Sequence, residues 1–117
     1  MIPYGRQSID DDDIQAVQDV LKSDFLTQGP AIPRFENVFK NHVKSDYAVA
    51  LSSATAALHI AAKAMGVGSG KRIWTSPITF VATSNIAFYL GANIDFVDID
   101  LSTGNISVSL LKQKLYD

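Results

Sequence analysis

YAVALSSATAAL, residues 47–58, contains a strand pattern, a polar turn and the start of a helix in direct succession. Its first part, residues 47–51, is short and wholly apolar, which is typical of a strand in the middle of a parallel sheet. Ser52 and Ser53 interrupt the apolar run, and an alanine-rich helix over residues 54–65 follows, closed by Gly66. A buried strand that passes directly into a helix predicts an α/β fold with a parallel sheet.

The same alternation continues on both sides of this stretch. Strand patterns over residues 72–75 and 93–99 alternate with helix patterns over residues 80–90 and from Ser107 onward. On the N-terminal side, residues 8–23 and a segment that includes Pro33 carry apolar side chains at helical spacing. The order predicts a pair of helices followed by three parallel strands with their crossover helices.

The predicted sheet is thin for this architecture, and the apolar helices imply partner surfaces that the sequence does not supply. We therefore expect the chain to be cut short, as one part of a larger domain. We divide it into an N-terminal helical arm and turn, residues 1–33, and a partial α/β large domain, residues 34–117.

Composition excludes several classes of function. Ten basic and twelve acidic residues give a net charge of −2 over 117 residues, so no nucleic-acid partner is expected. The apolar stretches are too short to span a bilayer, and the N-terminus lacks the order of a signal peptide, so no membrane partner is expected. The absence of cysteine excludes disulfides and thiolate chemistry, and the chain is expected to be cytoplasmic.

The turn at Ser52 to Thr55 is a candidate anion site. Free N–H groups at the start of the following helix, together with the hydroxyl groups of Ser53 and Thr55, would suit a phosphate. The other interpretation is simple capping of the helix by Ser53, which the same residues would satisfy. Gly70-Lys71 is not a P-loop, because Met65 replaces its first glycine and Arg72 replaces its final Ser or Thr.

No metal site is predicted. The acidic run over residues 10–13 stands at a helix start, where carboxylates complement the helix dipole and cap free N–H groups. His42 and His59 have no second ligand at metal-binding spacing, so we interpret both as helix residues at the boundary of the core.

Phe80 follows the strand over residues 72–75, at the sheet edge where ligands bind in open α/β folds. Its ring could stack on a flat heteroaromatic cofactor and face the same crevice as Thr55. Taken by itself, Phe80 is better interpreted as a core residue.

Several motifs together are more informative than any one of them. Five segments carry them: residues 28–30, 35–36, 53–58, 77–83 and 95–100. In this order they resemble the DegT/DnrJ/EryC1/StrS family of sugar aminotransferases, which have the fold type I pyridoxal-phosphate architecture. Residues 2–9 further resemble the branch that makes UDP-4-amino-4,6-dideoxy-N-acetyl-β-L-altrosamine, a precursor of pseudaminic acid.

The resemblance implies pyridoxal 5'-phosphate as the cofactor. It implies that Ala54 and Thr55 hold the phosphate and that Phe80 stacks on the pyridine ring. It also implies that three residues lie near a nucleotide-sugar substrate: Tyr4, Thr27 and Gly29.

The resemblance also shows what this chain lacks. The family's Schiff-base lysine stands in a Ser-His-Lys setting, beyond the region covered here, and none of the seven lysines matches it: Lys22, Lys40, Lys44, Lys63, Lys71, Lys112 and Lys114. Asp95, Asp98 and Asp100 do not match the aspartate that binds the ring nitrogen. We therefore expect no catalytic residue in this chain, which would be inactive alone.

The full-length protein is expected to move an amino group from an amino acid, with glutamate as the implied donor, to a UDP-linked 4-keto-6-deoxy sugar. The resemblance implies a homodimer that acts in surface-polysaccharide or pseudaminic acid biosynthesis. Three alternatives stay open: a pyridoxal-phosphate-dependent sugar 3-dehydratase with histidine in place of the lysine, a non-catalytic truncated product, and a generic α/β binding domain.

Overall fold

The computed structural model describes residues 5–116. Within them the elements are α1 (Asp11–Leu21), α2 (Ala31–Val43), α3 (Ala54–Ala64), β1 (Arg72–Thr75), α4 (Ala82–Tyr89), β2 (Asn93–Phe96) and α5 (Val108–Tyr116). They fall into two compact units, the first ending at Ala50 and the second beginning at Leu51.

Helix α1 of the first unit begins at a reciprocal cap. Asp10 Oδ1 accepts a hydrogen bond from the N–H of Asp13 at 3.0 Å, and Asp13 Oδ2 accepts one from the N–H of Asp10 at 3.2 Å. Two N–H groups that the helix itself cannot satisfy are thereby satisfied, and the acidic first turn complements the helix dipole. The interpretation of the acidic run as a helix start is confirmed.

Helix α2 contains Pro33 as its third residue, where a missing N–H costs no intrahelical hydrogen bond. The helix ends at Val43, and the left-handed backbone of Lys44, its C-cap (φ 56°), turns the chain so that the N–H of Ser45 bonds to the carbonyl of Lys40 at 2.9 Å. The rings of Phe35 and Phe39 stack one turn apart, with centroids 5.9 Å from each other.

The prediction of a strand over residues 47–51 is wrong for this structure, which has irregular backbone there. Tyr47 and Val49 are exposed rather than buried between neighbouring strands. A strand needs a partner to satisfy its backbone groups, and the part of the chain that the structure describes supplies none for this segment.

The second unit is built on a βαβ arrangement. Strands β1 and β2 pair in parallel, with Ile73 opposite Ile94 and Trp74 opposite Asp95, and α4 connects them. The predicted α/β class and the parallel pairing are confirmed. The strand predicted over residues 93–99 is shorter than expected, because Ile99 leaves β2 and forms an isolated antiparallel bridge with Ile106.

The core of the described residues lies in the second unit. Its buried apolar side chains come from α3, α4 and the two positions that flank β2: Ala62, Ala82, Ile86, Ala87, Ala92 and Val97. Small residues dominate this set, which lets the helices approach the sheet closely. Within residues 5–116, no helix combines the length and apolar character that a bilayer crossing requires.

Candidate cofactor site

The start of α3 leaves a small set of polar groups free. Ser53 precedes the helix in an extended conformation, and its Oγ accepts a hydrogen bond from the N–H of Ala56 at 3.1 Å. Its carbonyl accepts one from the N–H of Ala57 at 3.0 Å, which begins the helical ladder. Among the described residues, the N–H groups of Ala54 and Thr55 have no hydrogen-bond acceptor.

The predicted cap and the predicted anion site therefore use different atoms. Ser53 caps α3 through its side-chain oxygen, as the simpler interpretation expects. That cap satisfies the third N–H of the helix and leaves the first two, those of Ala54 and Thr55, to an external acceptor. The Thr55 hydroxyl also makes no hydrogen bond to another described residue, and its residue is half-buried. Small neutral side chains at the helix start, and a helix dipole that no acidic side chain compensates there, favour the binding of a phosphate group.

The second candidate segment is the loop from Ser76 to Val81, between the end of β1 and the start of α4. Ser76 Oγ accepts a hydrogen bond from the N–H of Ile78 at 3.1 Å, and the carbonyl of Phe80 accepts one from Thr83 at 3.0 Å. The Phe80 side chain is 72% exposed, so its interpretation as a core residue is wrong for this structure. An exposed aromatic ring on a hydrogen-bonded loop is available to stack on a planar group.

Helices α3 and α4 connect these two segments. They pack against each other, and the rings of His59 on α3 and Tyr89 on α4 lie 5.8 Å apart between centroids. His59 thus occupies a helix–helix boundary, as predicted. No hydrogen bond or ring contact among the described residues joins Thr55 to Phe80, so their meeting around one ligand stays a prediction.

Two of the three predicted substrate residues, Thr27 and Gly29, belong to the first unit. Thr27 and Gly29 lie in the connection between α1 and α2, where Gln28 adopts a left-handed backbone with φ of 56°. Tyr4 lies outside the described residues, so its predicted role stays a prediction. The position of Gly29 is tight, since a Cβ atom there would meet the Cβ of Phe25 at 2.5 Å.

Acidic groups of the second unit form hydrogen bonds within the chain. Within residues 5–116, no group of three or more His, Cys, Asp or Glu side chains is arranged to hold a metal ion. The Lys114 ammonium, hydrogen-bonded to Asp95 at 2.8 Å, lowers the pKa of that carboxyl. Hydrogen bonds from the hydroxyl and N–H of Ser102 lower the pKa of Asp100, which closes the turn after β2.

Two polar contacts were not predicted from the sequence. Glu36 on α2 accepts a hydrogen bond from the N–H of Ala50 at 2.8 Å. Lys114 on α5 donates to the carbonyl of Phe96 at 2.7 Å as well as to Asp95. Each joins residues 14 to 19 positions apart, and no local pattern indicates which side chain will reach which backbone group.

Known proteins resemble this chain over almost its whole length. The UDP-4-amino-4,6-dideoxy-N-acetyl-β-L-altrosamine transaminase of Campylobacter jejuni is 40% identical over 115 residues, which cover 98% of this chain and 30% of that protein. The structure of Spr1654 from Streptococcus pneumoniae in its PLP form superposes with a TM-score of 0.89 at 30% identity, covering 96% of this chain and 29% of that one. The same protein has also been solved in its PMP form.

A third similar structure is a variant of ColD, a GDP-4-keto-6-deoxymannose-3-dehydratase, with bound GDP-perosamine. It superposes with a TM-score of 0.88 at 29% identity and covers 96% of this chain and 31% of that one. The chain spans about 30% of the length of the curated relatives it matches.

These similarities establish the fold and the cofactor class of the family. The structural neighbours are fold type I enzymes that use pyridoxal 5'-phosphate, and the α/β unit described above is a partial domain of that type. Residues 7–116 match the DegT/DnrJ/EryC1/StrS aminotransferase family, and the chain belongs to that family.

Proposed function

We propose that this chain supplies the phosphate-binding end of a pyridoxal-phosphate site in a nucleotide-sugar aminotransferase. The observation that carries the proposal is the start of α3, where Ser53 caps the helix and the N–H groups of Ala54 and Thr55 remain free. A phosphate that accepts from both groups would sit at the positive end of the helix dipole.

Each predicted site residue has a defined task in this proposal. Ala54 and Thr55 bind the phosphate through their N–H groups, and Thr55 adds its hydroxyl. Phe80 covers one face of the pyridine ring and keeps water away from it. Thr27, Gly29 and Tyr4 contact the nucleotide-sugar substrate. The bound cofactor would supply an electron sink for the amino-transfer chemistry, which no protein side chain can provide.

The activity of the whole protein is part of the proposal. The protein would move an amino group from glutamate or another amino acid to a UDP-linked 4-keto-6-deoxy sugar, in surface-polysaccharide or pseudaminic acid biosynthesis. The similarity to the Campylobacter transaminase supports the substrate class. The protein would act as a cytoplasmic homodimer, and the division at residue 33 would separate its helical arm from its large domain. The reacting lysine would lie outside this chain, which would be inactive alone.

The similarity to ColD favours one alternative reaction on the same fold, the 3-dehydration of a nucleotide-linked keto sugar. The two reactions would share the phosphate-binding residues of this chain and differ at the position of the reacting lysine, where the dehydratase would have histidine. The residue at that position in the full-length protein distinguishes them. A truncated product without catalysis would retain phosphate binding and have neither activity.

Two substitutions test the phosphate site without disturbing the helix. Ala54→Pro removes one free N–H at the first helical position, where proline is well tolerated, and the extended backbone of Ser53 (φ −163°, ψ 159°) suits a residue before proline. Thr55→Val removes the hydroxyl and keeps the shape. We expect each to weaken binding of pyridoxamine 5'-phosphate by about 10-fold or more, as for loss of one hydrogen bond to a charged group. Quenching of the single tryptophan, Trp74, would report binding.

Pyridoxamine phosphate is the suitable probe because it has no aldehyde and cannot react with the surface lysines. Ser69→Ala is the matched control, since it removes an exposed hydroxyl from a loop of the same unit. Equal affinities of the wild-type chain, Ala54→Pro and Thr55→Val would contradict the proposed site. Unchanged far-ultraviolet circular dichroism would show that α3 still forms in both variants.

A further inference from the structure

The segment from Asp46 to Ser52, between α2 and α3, is held by few contacts. It contains no regular secondary structure. Within the described residues, two hydrogen bonds reach it from outside: the Ser45 hydroxyl donates to the nearby carbonyl of Tyr47 at 2.8 Å, and the N–H of Ala50 donates to the distant Glu36 Oε1 at 2.8 Å. The conformation of this segment therefore depends on the Glu36 side chain to an unusual degree.

Glu36 suits this task by its length and its position. It lies in the second turn of α2, 14 residues before Ala50, and is half-buried, so the bond is partly shielded from competing water. It is the only glutamate in the chain, where every other acidic residue is an aspartate. An aspartate at this position would end about 1.5 Å short, the length of one C–C bond.

The residue that Glu36 holds leads directly to the proposed phosphate site. Ala50 is joined through Leu51 and Ser52 to Ser53, the cap of α3, and the free N–H groups of Ala54 and Thr55 come next. Three residues of chain have few conformations once one end is fixed, so a restraint at Ala50 limits the paths by which the backbone enters the cap.

We propose that Glu36 is a positioning residue for the phosphate turn: by holding the Ala50 N–H, it restrains the backbone that leads to the Ser53 cap. Glu36 does not touch the phosphate. This role rests on the proposed function of Ala54 and Thr55, but it is a separate property of the chain and can be measured without a ligand.

Two substitutions distinguish the effect of the length of the Glu36 side chain from the effect of its charge. Glu36→Gln keeps the acceptor at the same distance and removes the charge, whereas Glu36→Asp keeps the charge and shortens the side chain. We expect Glu36→Asp and Glu36→Ala to raise the amide hydrogen exchange rates of Ala50, and of Ala56 and Ala57, whose N–H groups bond to Ser53, by about 10-fold, as for loss of one hydrogen bond. Glu36→Gln should keep all three rates within about 3-fold of the wild-type chain.

Affinity for pyridoxamine 5'-phosphate, read from Trp74 fluorescence, provides the second measurement. Glu36→Asp should weaken binding by about 10-fold, whereas Glu36→Gln should bind with the affinity of the wild-type chain. A general loss of stability would not separate these two variants, whose side chains differ in length by one methylene group. Asp46→Asn is the matched control, since Asp46 is an exposed carboxylate of the same segment that accepts no hydrogen bond among the described residues.

The outcomes distinguish this inference from the proposed function. If Glu36→Asp speeds exchange at Ala50 alone and leaves Ala56 and Ala57 unchanged, the bond is merely structural and the positioning role is overturned. If the wild-type chain binds no pyridoxamine phosphate, the proposed function fails for this chain, and the exchange rates of Ala56 and Ala57 still decide the role of Glu36. If Glu36→Gln behaves like Glu36→Asp, the reach of the side chain is not the cause and the inference fails.

Discussion

Gly29, which the family resemblance places near the substrate, is constrained by a neighbour within its own turn. A Cβ atom at this position would lie 2.5 Å from Phe25 Cβ and 3.3 Å from the Phe25 carbonyl oxygen. Neither atom is the far end of a flexible side chain, so the clash can be relieved only by movement of the backbone. The need for glycine here therefore has a steric cause that does not depend on any substrate.

Gly29→Ala should destabilise the first unit by about 1 to 3 kcal/mol, the usual cost of forcing extra atoms into an occupied space. The change in circular dichroism during urea unfolding measures this loss. Gly68→Ala is the matched control, because its added Cβ would meet only the carbonyl oxygen of Leu90 at an ordinary 3.7 Å. Equal stability of the two variants would show that the turn adapts and that the contact with Phe25 does not require glycine.

At the scale of the elements, Lys114 links α5 to β2 through hydrogen bonds. Its ammonium donates to Asp95 Oδ1 and to the carbonyl of Phe96, while Asp95 Oδ1 also accepts from the N–H of Phe96 at 2.8 Å. Lys114 and Asp95 are about equally half-exposed, so water screens the pair and its contribution to stability is modest. The pair nevertheless makes the stability of this region sensitive to pH.

The direction of this pH dependence follows from the direction in which the pKa of Asp95 is shifted. The Lys114 ammonium lowers the pKa of Asp95 in the folded chain, so the pair contributes stability above the ordinary aspartate pKa of about 3.9. That contribution falls as the pH drops through the lower pKa of the folded state. Lys114→Met should therefore reduce stability above about pH 4 and converge with the wild-type chain at lower pH. Urea midpoints measured across this range test the expectation.

Lys112→Met is the matched control for this experiment, since Lys112 is an exposed lysine of the same helix that makes no hydrogen bond among the described residues. It should shift stability little and show the same dependence on pH as the wild-type chain. Parallel pH profiles for Lys112→Met and Lys114→Met would mean that the Asp95 pair contributes nothing measurable.

Elements that depend on local contacts were predicted well from the sequence. The cap at Asp10, the helix that begins after Ser53 and the cap at Ser107 each follow from residues a few positions apart. Residues 47–51 have an equally clear strand pattern, but a strand depends on a non-local partner that the described chain lacks. The same limit applies to the site, since the Thr55 turn is a local feature, whereas the bond from Ala50 to Glu36 spans 14 residues.

At the scale of the whole molecule, burial is divided unequally between the two units. All the buried apolar side chains of residues 5–116 belong to the second unit, in α3, in α4 and at the two positions that flank β2. Helices α1 and α2 have no buried residue, although each carries an apolar stripe, with Val17 on α1 and Phe35 on α2 more than half exposed. Hydrophobic burial is the main stabilising contribution to folding, so most of the stability of the chain should come from the second unit.

A pair of identical substitutions tests this division. Ile86 on α4 is 7% exposed and Ile14 on α1 is 49% exposed, so Ile→Ala removes the same atoms from two different environments. Ile86→Ala should lower the free energy of unfolding by about 2 to 5 kcal/mol, because it leaves a cavity in the core. Ile14→Ala should cost less than about 1 kcal/mol, since alanine also favours the helix. Comparable losses in the two variants, at a protein concentration where the chain is monomeric, would mean that the stripe on α1 is covered in solution. The inference that most of the stability comes from the second unit would then be wrong.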